Sequence, residues 1–414
     1  MSLTPILLAL PWLGLLIFEA VIARFPSELP EVDEGVKDSD VGATGEGDVA
    51  GSRDALEGPP PMSVVVPARN EAANIVACLR SLTESTYPDF EVIVVDDRSD
   101  DDTAVLARSI DRGNARRIVV VEGEELPPGW LGKPWACHQG SKVAQGEMLL
   151  FTDADTVHGP DLLRRAVAGQ RQEGADLLTV VGRQIMESFW ERVVQPHVFF
   201  LMLLRFPDFE RVARNGNWRD AIANGQFLLF ARSAYERIGG HTSVKDEVVE
   251  DLALAQVVKR SGLQLRIRSA EESLATRMYQ SLGHLVEGWS KNMLMGGLQS
   301  VPRQLRLVLP PISFVGGLML WLLAPAVLVA GLLGLVSGVG PGESWLWWAG
   351  TVYGLTVVMW LHWYGRMRAP RGYAFLYPLA AAVFAYIFLR SWMRGRNVEW
   401  KGRHYEVPAA SERP

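Results

Sequence analysis

Three hydrophobic rhythms divide the chain. Residues 3–22, LTPILLALPWLGLLIFEAVI, are almost wholly apolar, and a run of about 20 such residues matches the thickness of a bilayer. No Lys or Arg precedes it, unlike the basic start of a secretory signal, so an uncleaved anchor over 1–25 is expected, with Glu19 at the membrane interface. From Met62 the rhythm shortens. MSVVV, FEVIVV, RIVVVEG and EMLLFTDAD read as strands. Between them EAANIVACLRSL sets Ile75, Leu79 and Leu82 at helical spacing, and DDTAVLARSI and KPWACHQGSKVA read as helices. Strands alternating with helices predict an α/β sandwich around a mostly parallel sheet.

The pattern continues with DLLTVVG as a strand and EVVEDLALAQVVKRSG as a helix, whose acidic first turn suits the helix dipole. FWERVVQPHVFFLMLLRF is amphipathic and too interrupted by Arg, Gln and Pro to span a membrane. After about residue 305 long apolar stretches return, with spans expected near 312–336, 345–363 and 373–391. Trp321, Trp345, Trp347, Trp348, Tyr373 and Trp392 are candidates for interfacial belts. Basic residues flank the last span on both sides: Arg366, Arg368 and Arg371 before it, Arg394, Arg396, Lys401 and Arg403 after it. The positive-inside rule would place both flanks in the cytoplasm, which one span cannot satisfy.

Composition sharpens this division. Residues 26–61 are rich in Gly, Asp, Glu and Pro and lack aliphatic periodicity, so they read as a solvated acidic linker. The domains expected are thus an anchor at 1–25, a linker at 26–61, an α/β domain at 62–300, a membrane region at 301–395 and a basic tail at 396–414. The formal net charge is −6 and no Lys/Arg-rich block occurs, which argues against a nucleic-acid partner. Cys78 and Cys137, the two cysteines, have no metal-binding spacing and read as buried small residues. His241 and His284 likewise have no ligand spacing. A P-loop and a GxGxxG turn are absent, which weighs against ATPase and dinucleotide-dependent chemistry.

Two acidic clusters, Asp96–Asp97 and Asp153–Asp155, fall at the carboxyl ends of predicted strands, where α/β sheets bind ligands. Hard cations such as Mg2+ and Mn2+ prefer carboxylate oxygen, and a diphosphate ligand needs such neutralisation. A lone Asp-x-Asp is common in surface loops and decides little. An EF-hand fails because the downstream Gly and Glu are missing.

The ordered set VVVPARNEAANIVACLRSL, VIVVDDRSDDDT, GKPWACHQG, LLFTDAD and VVEDLALA resembles the family 2 glycosyltransferases over about residues 62–300. The resemblance implies a GT-A nucleotide-sugar-binding fold and an inverting transfer. It implies that Pro67, Arg69 and Glu71 sit in the nucleotide-contacting loop, and that Asp96 and Asp97 recognise uracil or ribose. Lys133 faces the nucleotide sugar, Asp153 lies near the ribose and sugar, and Asp155 is the metal ligand. Glu250 and Asp251 match the acidic pair that supplies the base, with Asp251 the favoured one. Processive members carry Gln-x-x-Arg-Trp near here; this chain has Gly288-Trp289-Ser290-Lys291-Asn292 instead. That departure argues against a processive synthase, and the chain resembles the non-processive membrane branch associated with hopanoids and carotenoids, which implies Asn224, Gly225 and Gln226 at the acceptor and Trp289 either stacked on acceptor or sugar or set at the membrane interface.

The expectation is therefore an integral protein of the cell membrane with a cytoplasmic catalytic domain. It uses Mg2+ or Mn2+ to move a hexose, glucose from UDP-glucose, onto a hydroxyl of a carotenoid or other terpenoid that arrives from the bilayer along residues 189–206 and 282–298. Transfer to a polyprenyl phosphate or a glycerolipid is the enzymatic alternative. A non-catalytic membrane scaffold on a nucleotide-binding fold is the alternative of another class.

Overall fold

The computed structural model describes residues 4–32, 58–299, 303–305, 308–337, 342–394, 397–400 and 403–406. Most of the expected linker and the end of the basic tail lie outside these residues. The chain forms two compact units. An α/β unit comprises Pro26–Ile185, Phe209–Met278 and Lys401–Pro414; a helical unit comprises Met1–Phe25, Met186–Asp208 and Tyr279–Trp400.

The α/β unit is built on a seven-stranded sheet. In chain order its strands are β1 (Met62–Ala68), β2 (Phe90–Asp96), β3 (Ile118–Glu122), β4 (Met148–Phe151), β6 (Leu177–Val181), β8 (Leu228–Ala231) and β9 (Leu265–Ser269); β5 (Thr156–His158), β7 (Arg183–Gln184) and β10 (Leu274–Thr276) make a small second sheet. The large sheet runs β3-β2-β1-β4-β8-β6-β9. It is parallel except at β8, which lies antiparallel to both β4 and β6. Strands buried on both faces need continuous apolar runs, and FEVIVVD in β2 is buried along its whole length. Its exception is Glu91, whose Oε1 accepts from Ser63 Oγ (2.6 Å) and Gln145 N (2.7 Å) while Oε2 accepts from Arg117 Nε (2.6 Å). Those bonds keep its carboxyl below the usual range against the opposing effect of burial.

The chain builds outward from β1 through β2 to β3, then returns to place β4 on the other side of β1. Such a reversal leaves a crevice beyond the carboxyl ends of the two central strands. Pro67 explains where it opens. A proline lacks the N–H that a central strand needs. Pairing of β1 with β4 stops at Val65, whereas pairing with β2 continues to Ala68. Ala68 O accepts from Asp97 N on the β2 side, so the position of Pro67 faces the side already released from β4.

The expected linker begins as ordered, docked chain. Leu29 is buried, Leu29 N donates to Ser269 O, and Arg165 donates to Leu29 O and Pro30 O. An aliphatic residue among the acids, with backbone groups matched to β9, is enough to seat this segment. The amphipathic helices Phe189–Arg205 and Leu282–Gln299, expected as interfacial helices within 62–300, belong to the helical unit.

Among the described residues two helices are long and apolar enough to cross a membrane, Leu309–Gly334 and Arg371–Arg394, both in the helical unit. Only 11% and 33% of their most apolar windows are buried, unlike the core helices of a soluble protein. The helix Glu343–Arg366, expected as a further span, is Trp-rich and falls outside that pair, and the N-terminal apolar helix is shorter, Leu7–Ile22. Trp321 and Trp348 are buried among other rings rather than set in a belt, while Trp345, Trp347 and Trp392 are exposed.

Glu19 corrects the expectation of an interfacial acid. It is fully buried, in a π-helical turn over Phe18–Ile22. His362 Nδ1 lies 2.6 Å from its Oε2, and Arg366 Nη1 donates to its Oε1 (3.1 Å) and to its backbone O (2.7 Å). An acid in an apolar helix is costly unless partnered, so the helix docks where the partners are. The same pairing matches part of the basic charge that the sequence sets before the last span. Arg366→Ala leaves Glu19 buried against a single half-exposed His, and is expected to cost about 3 kcal/mol. A lower thermal midpoint and faster proteolytic release of the N-terminal segment in detergent would show it; an unchanged midpoint would refute it.

Candidate active site

Two loops beyond β1 and β2 lock together first. Asn70 and Arg98 adopt left-handed backbone, φ 53° and 56°, which turns each loop back toward the other. Asn70 N donates to Ser99 Oγ (3.0 Å), Asp100 N to Asn70 Oδ1 (2.9 Å) and Glu71 N to Thr103 Oγ1 (2.8 Å). Arg69 is buried and donates through Nη1 to Asp97 O (2.7 Å) and Arg98 O (2.6 Å). Glu71 O accepts from Asn74 N and Ile75 N at the start of the following helix. Arg69 and Glu71 thus build the loop frame. Asp96 and Asp97 are both buried at its base. Asp96 Oδ2 accepts from Ser99 N (3.4 Å), and its Oδ1 has no hydrogen-bond partner among the described residues.

Asp153 and Asp155 sit in the turn between β4 and β5. Thr156 Oγ1 donates to Asp153 O (2.6 Å), closing the turn, and Thr152 Oγ1 donates to Gln226 O (2.7 Å), tying it to the segment before β8. Beneath lies Cys78, buried near Asp153 O, its thiol pushed up to about 12 by burial. Cys137 is buried as well. His158 is a core residue, held neutral by burial at about 3.

A single ammonium joins the Asp153–Asp155 turn to the Glu250–Asp251 pair. Lys133 stands in the first turn of the helix Gly132–Val143. Its Nζ lies 2.6 Å from Asp153 Oδ1 and 2.7 Å from Glu250 Oε1. Glu250 and Asp251 open the helix Glu250–Arg260. Asp251 Oδ2 accepts from Gly225 N (2.8 Å), and Oδ1 from Leu252 N (2.7 Å). A Cβ on Gly225 would meet Lys133 Nζ at 3.1 Å and Asp251 Oδ2 at 3.2 Å, so the glycine lets both groups close on the backbone.

These contacts set the proton affinities. Burial and the neighbouring Glu250 push Asp251 up to about 6, against the pull of Lys133 and the two backbone donors. Burial would lower the ammonium of Lys133, yet Asp153, Glu250 and Asp251 together hold it well above its ordinary value. Burial also raises Asp153, with Lys133 opposing. Since 21% of the Lys133 side chain and 28% of Asp153 remain open, solvent relieves part of that penalty.

The other residues predicted from sequence divide between the units. Asn224 donates through Nδ2 to Val180 O (2.9 Å) and to Gln226 Oε1 (3.3 Å). Gln184 Nε2 also donates to Gln226 Oε1 (3.2 Å). Sequence reasoning missed Gln184, whose strand β7 is too short to give a periodic signal, and missed Lys133 as a bridge, because nothing local pairs it with Glu250. Trp289 lies in the helical unit, packed edge-on against Phe199 and Tyr279.

Comparison with known proteins follows this geometry. Residues 63–239 match the glycosyl transferase family 2. The chain is 28% identical over 353 residues to the 4,4'-diaponeurosporenoate glycosyltransferase of Staphylococcus aureus (strain MRSA252), covering 84% of this chain and 88% of the relative. Among solved structures it is similar to a mannosyltransferase from Pyrobaculum calidifontis in complex with GDP-Man and Mn2+, at 18% identity, TM-score 0.47, covering 92% and 94% of the two chains. It is also similar to S. aureus TarS in complex with UDP-GlcNAc, at 16% identity, TM-score 0.40, covering 86% and 98%. The stretch of this chain that matches the glycosyl transferase family 2 thus falls largely in the α/β unit, and the curated relatives that the chain resembles along most of its length are glycosyltransferases.

Proposed function

We propose that the enzyme is an inverting, metal-dependent hexosyltransferase that moves glucose from UDP-glucose onto a hydroxyl of a membrane lipid, a carotenoid or another terpenoid. The observation that carries this reading is Asp251, a carboxylate pushed up to about 6 and oriented by the Gly225 N–H. As the acceptor oxygen bonds to the anomeric carbon, Asp251 takes its proton and the diphosphate leaves with the electron pair of the broken bond.

That base also bears on the acceptor group. The printed name of the Staphylococcus relative supports a carotenoid-type acceptor and names it as a carboxylate. A carboxylate or a polyprenyl phosphate is already ionised near neutrality and needs no base. A hydroxyl does, and a carboxylate set near 6 is matched to that task. A raised base at this position supports the hydroxyl reading of the acceptor.

On the donor side, the buried Asp96 Oδ1 offers an acceptor to a ribose hydroxyl or the uracil N–H. Among the described residues no group of three or more His, Cys, Asp or Glu is arranged to hold a metal ion by itself. A carboxylate donor set suits Mg2+ or Mn2+, which commonly bind through one or two carboxylates plus substrate phosphates. Asp155 would hold the ion, which when bound neutralises the departing diphosphate. The exposed apolar helices support residence in the cell membrane, with the catalytic domain on the cytoplasmic side where sugar nucleotides are made.

Asp251→Asn is expected to lower transfer from UDP-glucose to a hydroxylated carotenoid by about 10²–10⁴-fold, read as product mass, with folding retained. Undiminished transfer would remove Asp251 from the base role, and efficient transfer to polyprenyl phosphate instead would overturn the acceptor. Activity should also fall as pH drops through about 6, because a protonated Asp251 cannot accept the proton; a profile flat from pH 5 to 8 contradicts this. Asp155→Ala should weaken Mn2+ binding in the presence of UDP by at least about tenfold, measured by calorimetry; equal affinity would place the ion elsewhere.

A further inference from the structure

We propose that Lys133 is a positioning residue of the transfer site. Its ammonium ties Asp153, at the end of β4, to Glu250, at the head of the base helix, and through Glu250 it sets the charge state in which Asp251 works. The inference rests on the reading of Asp251 as the base.

The geometry carries it. One Nζ engages both carboxylates at once, at 2.6 Å and 2.7 Å. The ammonium is aimed by the fold, because the entry to its helix is pinned where Leu131 N donates to Lys245 O (2.8 Å). Gly225 then supplies the remaining wall, where a β-carbon would crowd Lys133 Nζ and Asp251 Oδ2 at 3.1 and 3.2 Å.

Charged and titratable groups gather around Asp251 from several elements. Glu250 comes from its own helix, Lys133 and Cys137 from the helix Gly132–Val143, Asp153 from the β4–β5 turn and His241 from the turn Gly240–Val244. Burial keeps His241 neutral, at about 3, and keeps the Cys137 thiol protonated. Of these groups Lys133 alone is positive near neutrality. Without it the carboxylate of Glu250 still repels that of Asp251 while the opposing pull of the ammonium is lost, so Asp251 holds its proton more tightly. A lysine that only clamped the diphosphate would behave otherwise: its loss would raise the donor KM and leave the protonation of the base untouched.

The test uses the full-length protein in nanodiscs and reads the pH dependence of kcat/KM for the acceptor. Lys133→Gln should move the acid limb to higher pH by about one unit, and Lys133→Arg, which keeps the charge, should return it toward the wild-type position. A limb that stays in place in Lys133→Gln while only the donor KM rises overturns the proposal. Should Lys133→Gln fail to fold or to turn over, Glu250→Gln decides: removing that negative neighbour should move the limb to lower pH, and an unmoved limb sinks the idea. Asp251→Asn separates the two levels of inference. Activity retained in Asp251→Asn overturns the base reading itself, whereas its loss together with an unmoved limb in Lys133→Gln overturns only the positioning role.

Discussion

The site depends on one shared ammonium. Lys133 Nζ sits between a carboxylate that follows β4 and a carboxylate that opens the helix Glu250–Arg260. These groups are distant along the chain, and each would be costly to bring toward a dry crevice alone. Together they form a compact cluster in which the positive charge is held on and two acids, Asp251 and Asp153, are left with a raised proton affinity. The backbone N–H of Gly225 fixes the orientation of Asp251, and the missing β-carbon makes the approach possible.

The sheet exists around this cluster in a definite way. Reversal of strand order at β1 opens the crevice, and Pro67 places the end of β1–β4 pairing where a missing N–H does no harm. The loops after β1 and β2 then close on each other through side chain–backbone bonds, with Arg69 spending its guanidinium on carbonyls. Several residues that read as ligand contacts in the sequence are thus partly occupied in building the frame. A rigid frame is what holds Asp96 and the Asp153–Asp155 turn in place for chemistry.

The helical unit follows a different logic, in which polar groups are scarce and several find partners far along the chain. Glu19 is matched by His362 and Arg366, and Trp363 Nε1 donates to Pro196 O (2.8 Å), the helix Phe189–Arg205 being interrupted by that proline. Arg366, one of the basic residues before the last span, meets a partner that lies near the other end of the chain.

Much of the fold was legible without coordinates. β-branched runs such as SVVV and VIVV, helical spacing at Ile75, Leu79 and Leu82, and acids placed just after strands were enough to expect a parallel α/β sheet with its ligands at the strand ends. Local pattern determines local structure because each residue's preference acts on its own neighbours. Tertiary structure alone decided which distant groups meet: Lys133 with Glu250, Gly225 with Asp251, Glu19 with Arg366, and Leu29 with the edge of β9. Such pairings depend on charge balance and burial in three dimensions, and no periodicity along the chain encodes them.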